Sequence, residues 1–345
     1  MATSHQDAIV ASTWSEPSGT AHAGLARTTG EPIVDTVLPA RGHGMCLSPD
    51  GGTAVVFARR PGRFAVVIDL EGREPVRRID SEPGRHFYGH GVFSGDGGRL
   101  FATENDHEGG VGRIGIYDAG AGFRRHGEWP SHGIEPHEIL LMPDGRRLAV
   151  ANGGILTHPS SGRDKLNLAT MRSSVVLLDA ASGDLVATAA PPPDLHRLSL
   201  RHLAAGPDGR LAVAIQYQGD ATDQVPLLAT WDGRGDLRLV DDGEAVLAAM
   251  RNYCGSVAVD ATGELIALTS APGSLATFWR AADLKLVASR HMPDVCGVAA
   301  TAEPGRFVLS SGTGGLWTYD ATADELSALA ATQRLWDNHM SCIIT

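Results

Sequence analysis

His43, His90, His137, His202 and His339 each stand just ahead of, or within, a short apolar run, and the run recurs along the chain. "RGHGMCLSPDGG", "YGHGVFSGDGG", "EPHEILLMPDGR" and "RHLAAGPDGR" share one design: a histidine, apolar residues, then an Asp-Gly turn. Imidazoles carried to one point are the usual ligands of iron, copper and zinc. A single histidine at a strand start is commonly a hydrogen-bonded structural residue, so the weight lies on the convergence of five among only 14. Cys254 and Cys296 occupy the corresponding place in two further units and are additional candidate ligands, a disulfide pair, or small core residues.

The spacing of these seven anchors defines what must position them. From His43 to His90, His137, His202, Cys254, Cys296 and His339 the steps are 47, 47, 65, 52, 42 and 43 residues. Such a period fits a blade of four antiparallel strands. In each unit a second β-rich run follows the turn ("TAVVFA", "RLAVAN", "LIALTS"), and a third often ends in Asp plus a turn ("FAVVIDLEG", "SVVLLDAASG"). Asp-Gly supplies the positive φ that tight hairpins need. After His339 only one strand's length of chain is left, "MSCIIT", whereas residues 7–42 read as a blade lacking its first strand. The reading is therefore all-β: one domain over 1–345, a seven-bladed β-propeller closed by the C-terminal strand joining the N-terminal blade. Closure removes exposed sheet edges. The long third step is an insertion, "GGILTHPSSGRDKLNLATMRS", able to cover one end of the ring and offering His158, Arg163 and Lys165.

One feature resists simple alternation. His43 and His137 precede their turn aspartates, Asp50 and Asp144, by seven residues; His90 and His202 precede Asp96 and Asp208 by six. Strand side chains alternate with period two, so a common direction requires bulges or positions ahead of the strand.

Other polar groups are expected near the same end. "TENDHEGG" offers Glu104, Asp106 and His107, which together with Glu138, His158 and Arg201 are expected to support ligands or face a substrate. Arg201 could bind an anion or pair with Glu135 or Glu138. A calcium-dependent hydrolase of the lactonase type would need a second acidic cluster, and none is visible. Cys46 and Cys342 each follow an anchor histidine by three residues, which permits a bridge without requiring one. The formal net charge of −11 and the absence of a basic cluster disfavour nucleic-acid binding. No run reaches the roughly 18 apolar residues of a membrane helix, so no membrane insertion is expected.

"RHFYGHGVFSGDGGRLFATEND", "GIEPHEILLMPDG", "ANGGILTHPSSGRDKLNLATM", "LSLRHLA", "DVCGVA" and "DNH" resemble, in order and from about residue 40 onward, a bacterial family of unknown function. Its members are usually exported by the twin-arginine route and encoded beside imelysin-like iron-regulated proteins. The resemblance implies a periplasmic propeller in metal handling, with the family's motif histidines at His43, His90, His137, His202 and His339 and its cysteine at Cys296. The chain departs from it in lacking an export signal, which would leave a cytoplasmic protein if native, and in carrying Cys254 where an apolar residue is expected. The functional expectation is one mononuclear iron or copper ion on several histidines, serving metal handling or, if the protein is an enzyme, oxidoreductase chemistry. A small molecule or a metal-delivery protein would be the partner. The alternative is a metal-free protein-interaction scaffold.

Overall fold

The computed structural model describes residues 8–343 apart from residues 61 and 163, so Arg163 lies outside the described residues. Seven four-stranded antiparallel sheets form a ring, each with its first strand innermost except the N-terminal one, whose inner strand is the last of the chain. The inner strands are Gly42–Leu47, Arg85–Phe93, Pro136–Leu141, Leu198–Ala205, Ser256–Val259, Val295–Ala300 and Leu335–Ile343. Each touches the next, and the last returns to the first. The C-terminal strand Leu335–Ile343 pairs with Ile9–Ser15 and completes the N-terminal blade, as the sequence leads one to expect. Among the described residues no helix is long and apolar enough to cross a membrane.

The apolar runs explain the ring. A blade inside a propeller is covered on both faces, so its middle strands can be apolar at every position. In Thr53–Ala58 the alternate residues Ala54, Val56 and Ala58 pack toward the preceding blade, while Val55 and Phe57 pack toward the following one. Leu148 and Val150 are likewise separated from Ala149 and Ala151 by the sheet between them. Seven buried clusters result, one at each blade-to-blade contact.

The Asp-Gly turns act as local clamps. Asp50 Oδ1 accepts from Ser48 Oγ at 2.5 Å and from the Gly52 amide at 3.0 Å, and Gly51 between them takes φ +73. Ser94, Asp96 and Gly97 repeat this arrangement one blade on. Such turns fix where each inner strand ends, and hence how far its histidine lies along the channel.

The insertion after Arg147–Asn152 carries a short 3₁₀ turn at Pro159–Ser161. It is tied down by Asn167, whose side chain accepts from the Leu156 amide and donates to the Gly154 carbonyl.

Candidate metal centre

The five histidines meet. Ring centroids lie 5.0 Å apart for His43 and His90, 4.4 Å for His43 and His339, 4.5 Å for His90 and His339, 4.6 Å for His202 and His339, and 4.8 Å for His137 and His202. His43 Nε2 and His339 Nε2 approach to 3.3 Å. Ligand atoms of His43, His90 and His137, and separately those of His90, His202 and His339, all lie within 4.8 Å of one another.

Bulges reconcile the uneven spacing. Four of the five histidines fall inside an interruption of their strand's pairing, between Gly42 and Met45, Phe87 and Gly91, Pro136 and Glu138, and on Leu335–Ile343 opposite the shift from Ser12 to Trp14, while His202 directly follows the skipped Arg201. A bulge inserts one residue and re-aims the side chain there, so histidines at different parity still point inward. His90, His202 and His339 accordingly lie well inside their strands rather than at the strand starts.

The glycines beside the histidines have a steric purpose. A Cβ on Gly44 would lie 2.9 Å from His90 Nδ1, and one on Gly89 only 2.5 Å from His43 Cδ2. Gly89 also takes φ +104, which L side chains rarely adopt. The "GHG" sequences thus let neighbouring imidazoles pack edge to face.

Carboxylates stand behind three of the rings. His202 Nδ1 lies 2.9 Å from Glu138 Oε2, which also accepts from the Leu203 amide at 3.0 Å. An oxygen that already accepts from an amide receives the imidazole proton too, which assigns His202 as the Nδ1–H tautomer with Nε2 free. His90 Nδ1 is 3.7 Å from the other Glu138 oxygen, and its Nε2 is buried without a partner among the described residues. His43 Nδ1 is 3.7 Å from Asp337 Oδ1. His137 differs: its Nδ1 lies 3.0 Å from Arg201 Nη1, and a guanidinium can only donate. The proton of neutral His137 is therefore on Nε2.

Burial dominates the electrostatics. It pushes His90 down to about 3, with neighbouring His43 and His202 adding to the effect and Glu138 opposing it. Burial likewise holds His137, His202 and His339 well below the usual imidazole value, so these three rings and His90 are uncharged at neutral pH. Burial raises Glu138. Burial would raise Asp337 as well, but His43, Arg59 and Arg41 outweigh it and hold that carboxyl well below its ordinary range. Neutral imidazoles backed by carboxylates are in the protonation state that binds metal.

The cluster separates two cavities. One of about 180 Å³ runs along the channel past His90, His202, His339 and Glu138. The other, about 250 Å³, is bordered by His43, His137 and His202 together with Arg59, Arg60, Arg201, Tyr88 and Tyr253. A third, about 340 Å³, lies to one side, where Arg60 and His86 meet His107 and His158 at the insertion. The insertion thus borders this side cavity and holds Arg60 through Thr157, rather than covering the histidines.

The remaining candidate residues divide. Glu138 and Arg201 belong to the centre. Glu104 and Asp106 border none of the three cavities: Glu104 is fully buried, accepting from Tyr117 at 2.6 Å and Arg125 at 2.8 Å, and Asp106 pairs with Arg85 and Arg113. They brace their blade. Cys254 and Cys296 are buried in apolar clusters, their Sγ atoms facing the backbone carbonyls of Leu227 and of Ser310 and Trp336, and neither joins a group of converging ligand atoms among the described residues. Burial pushes both thiols up to about 12. All four cysteines are free, so the bridge permitted between Cys46 and Cys342 is not formed. Asp337, Arg59 and Tyr88 escaped notice in the sequence. For Asp337 the signal was present as proximity: in "DNH" it stands two residues before His339 on the same strand.

Fold and site together define a seven-bladed propeller with a polyhistidine centre on its axis. The model of the family described as "Protein of unknown function (DUF1513)" matches residues 36–343, and the chain belongs to that family. No curated protein matches the chain. Among solved structures it is similar to the hydrazine synthase of Kuenenia stuttgartiensis, at 14% identity and TM-score 0.63, over 91% of this chain and 93% of that one. At that identity the likeness shows the propeller alone.

Proposed function

We propose that the protein binds one transition-metal ion, iron or copper, on the axial histidines, and serves metal handling or mononuclear redox chemistry. The observation that carries this reading is five imidazoles in mutual contact, His43, His90 and His202 buried and His137 and His339 half-buried, three of the five with a carboxylate on the Nδ1 side. In a scaffold without metal, five rings facing one another would leave ring nitrogens unsatisfied, as His43 Nδ1 and His90 Nε2 are among the described residues. His43, His90, His202 and His339 are the ligands this geometry favours. His137, with its Nδ1 taken by Arg201, serves as an Nε2–H donor beside them. An all-imidazole set suits iron or copper, and the two carboxylates offset the charge of a divalent ion. Periplasmic residence and an association with iron uptake belong to the same proposal and rest on the resemblance drawn from the sequence motifs. An interaction scaffold is the competing reading.

The test is elemental analysis of untagged protein purified without chelator, wild type beside His90→Ala/His202→Ala. Near-stoichiometric iron or copper, lost in a variant that keeps its far-ultraviolet circular dichroism, is expected. No metal in the wild type after reconstitution with either ion would return the histidines to a structural role.

A further inference from the structure

The cavity of about 250 Å³ above the histidines has a chemistry of its own. Arg59 is committed to Asp337, which it shares with Arg41, and Arg201 is committed to Glu135 at 2.6 Å. Arg60 differs from both: its one hydrogen bond is to the Thr157 hydroxyl, at 2.6 Å, and no carboxylate pairs with it among the described residues. Three guanidiniums, those of Arg59, Arg60 and Arg201, and one carboxylate, that of Glu135, therefore line the cavity, and the excess positive charge borders an open space.

Two buried donors border the same space without partners. Tyr88 is 6% exposed, yet its hydroxyl makes no hydrogen bond of ordinary geometry among the described residues; the one group beside it is the Thr157 hydroxyl, which already accepts from Arg60. Arg201 Nε is also buried and unpartnered. A buried donor left unsatisfied is destabilising, so such groups are normally answered by water or a ligand. Tyr253 adds a third donor: its oxygen accepts from Asn338 Nδ2 at 3.0 Å, which leaves its own O–H to give.

We propose that this cavity binds a small organic carboxylate, its acid group gripped by Arg60 and answered by the hydroxyl of Tyr88, with the body of the molecule against His137 and His202. A planar guanidinium with its fork open matches a carboxylate in two parallel hydrogen bonds. The volume admits only a small molecule, on the order of a short-chain acid, since drug-sized ligands fill about 300–1,000 Å³. The inference goes beyond the metal reading and stands without it. A divalent ion on the histidines would add positive charge beside the anion and tighten it.

The experiment is calorimetric titration of malonate, with inorganic phosphate in parallel, into metal-reconstituted and chelator-treated protein, wild type beside Arg60→Gln and Tyr88→Phe. Thermal melts verify that each variant is folded. Malonate should bind both forms of the wild type, at least tenfold more weakly in Arg60→Gln and several-fold more weakly in Tyr88→Phe. Absence of malonate binding in both forms, equal affinity in folded Arg60→Gln, or a preference for phosphate would overturn the proposal. Malonate binding to a protein that never takes up metal would uphold it while removing the metal reading. Metal uptake without malonate binding would do the reverse.

Discussion

Acidification of the metal-free protein gives the most demanding test of the buried cluster. His86, His90, His137, His202 and His339 are all held below the ordinary imidazole value in the folded chain, chiefly by burial, His86 to about 4 and His90 to about 3. Unfolding exposes them to water, where each regains a value near 6.5. As pH falls below 6.5 the unfolded chain takes up protons that the folded chain refuses, so stability is fully present above that value. It is lost progressively until the folded values are reached. Between pH 7.5 and 5.5 each histidine contributes a loss of about 1.4 kcal/mol, and five together about 7 kcal/mol. That is comparable to the whole stability of a typical domain, about 5–15 kcal/mol. Urea unfolding followed by tryptophan fluorescence, at half-unit steps over this range, reads the loss directly. A stability that stays flat from pH 7.5 to 5.5 would refute the neutral, water-excluded cluster. Added iron or copper should raise stability at pH 7.5 and steepen the acid limb, because protons then compete with the ion for the same nitrogens.

Other outcomes follow from single contacts. Gly89→Ala sets a Cβ against the His43 ring and forces an L residue to φ +104; it should cost about 2 kcal/mol or more and reduce metal content, measured by thermal melts and elemental analysis. Glu104→Ala leaves Tyr117 and Arg125 without their shared acceptor in the blade interior. Its melting temperature should drop by the equivalent of about 3 kcal/mol, while metal content in the folded fraction is unchanged. Cys254 and Cys296, with thiols raised by burial to about 12, should resist iodoacetamide at pH 8 in native protein and react fully in urea, as mass spectrometry would show. Rapid native alkylation of either would contradict the buried placement.

The seven-fold repeat, the closing C-terminal strand and the five histidines were legible in the chain because each rests on a local signal. Asp-Gly turns need positive φ wherever they occur, and a strand buried on both faces must be apolar at consecutive positions. Chain order alone could not decide which way the histidines point. His43 and His90 differ in parity relative to their turns, and only the bulges at Gly42–Met45 and Phe87–Gly91 bring them to one axis. A bulge is a pairing event between two strands, so it leaves no fixed trace in either one. The acidic run at 103–108 shows the opposite limit: its residue types suggested a ligand-facing loop, yet Glu104 lies inside a strand, where alternation directs it to Tyr117 and Arg125. The partners of the centre lie far away in sequence, Asp337 beside His43 and Arg201 beside Glu135 and His137. The sequence by itself determined the seven-fold repeat of strands and turns and which residues each strand carries. Ring closure decided which of those residues meet, because it brings the first and last blades together and sets seven separate strand ends around one axis.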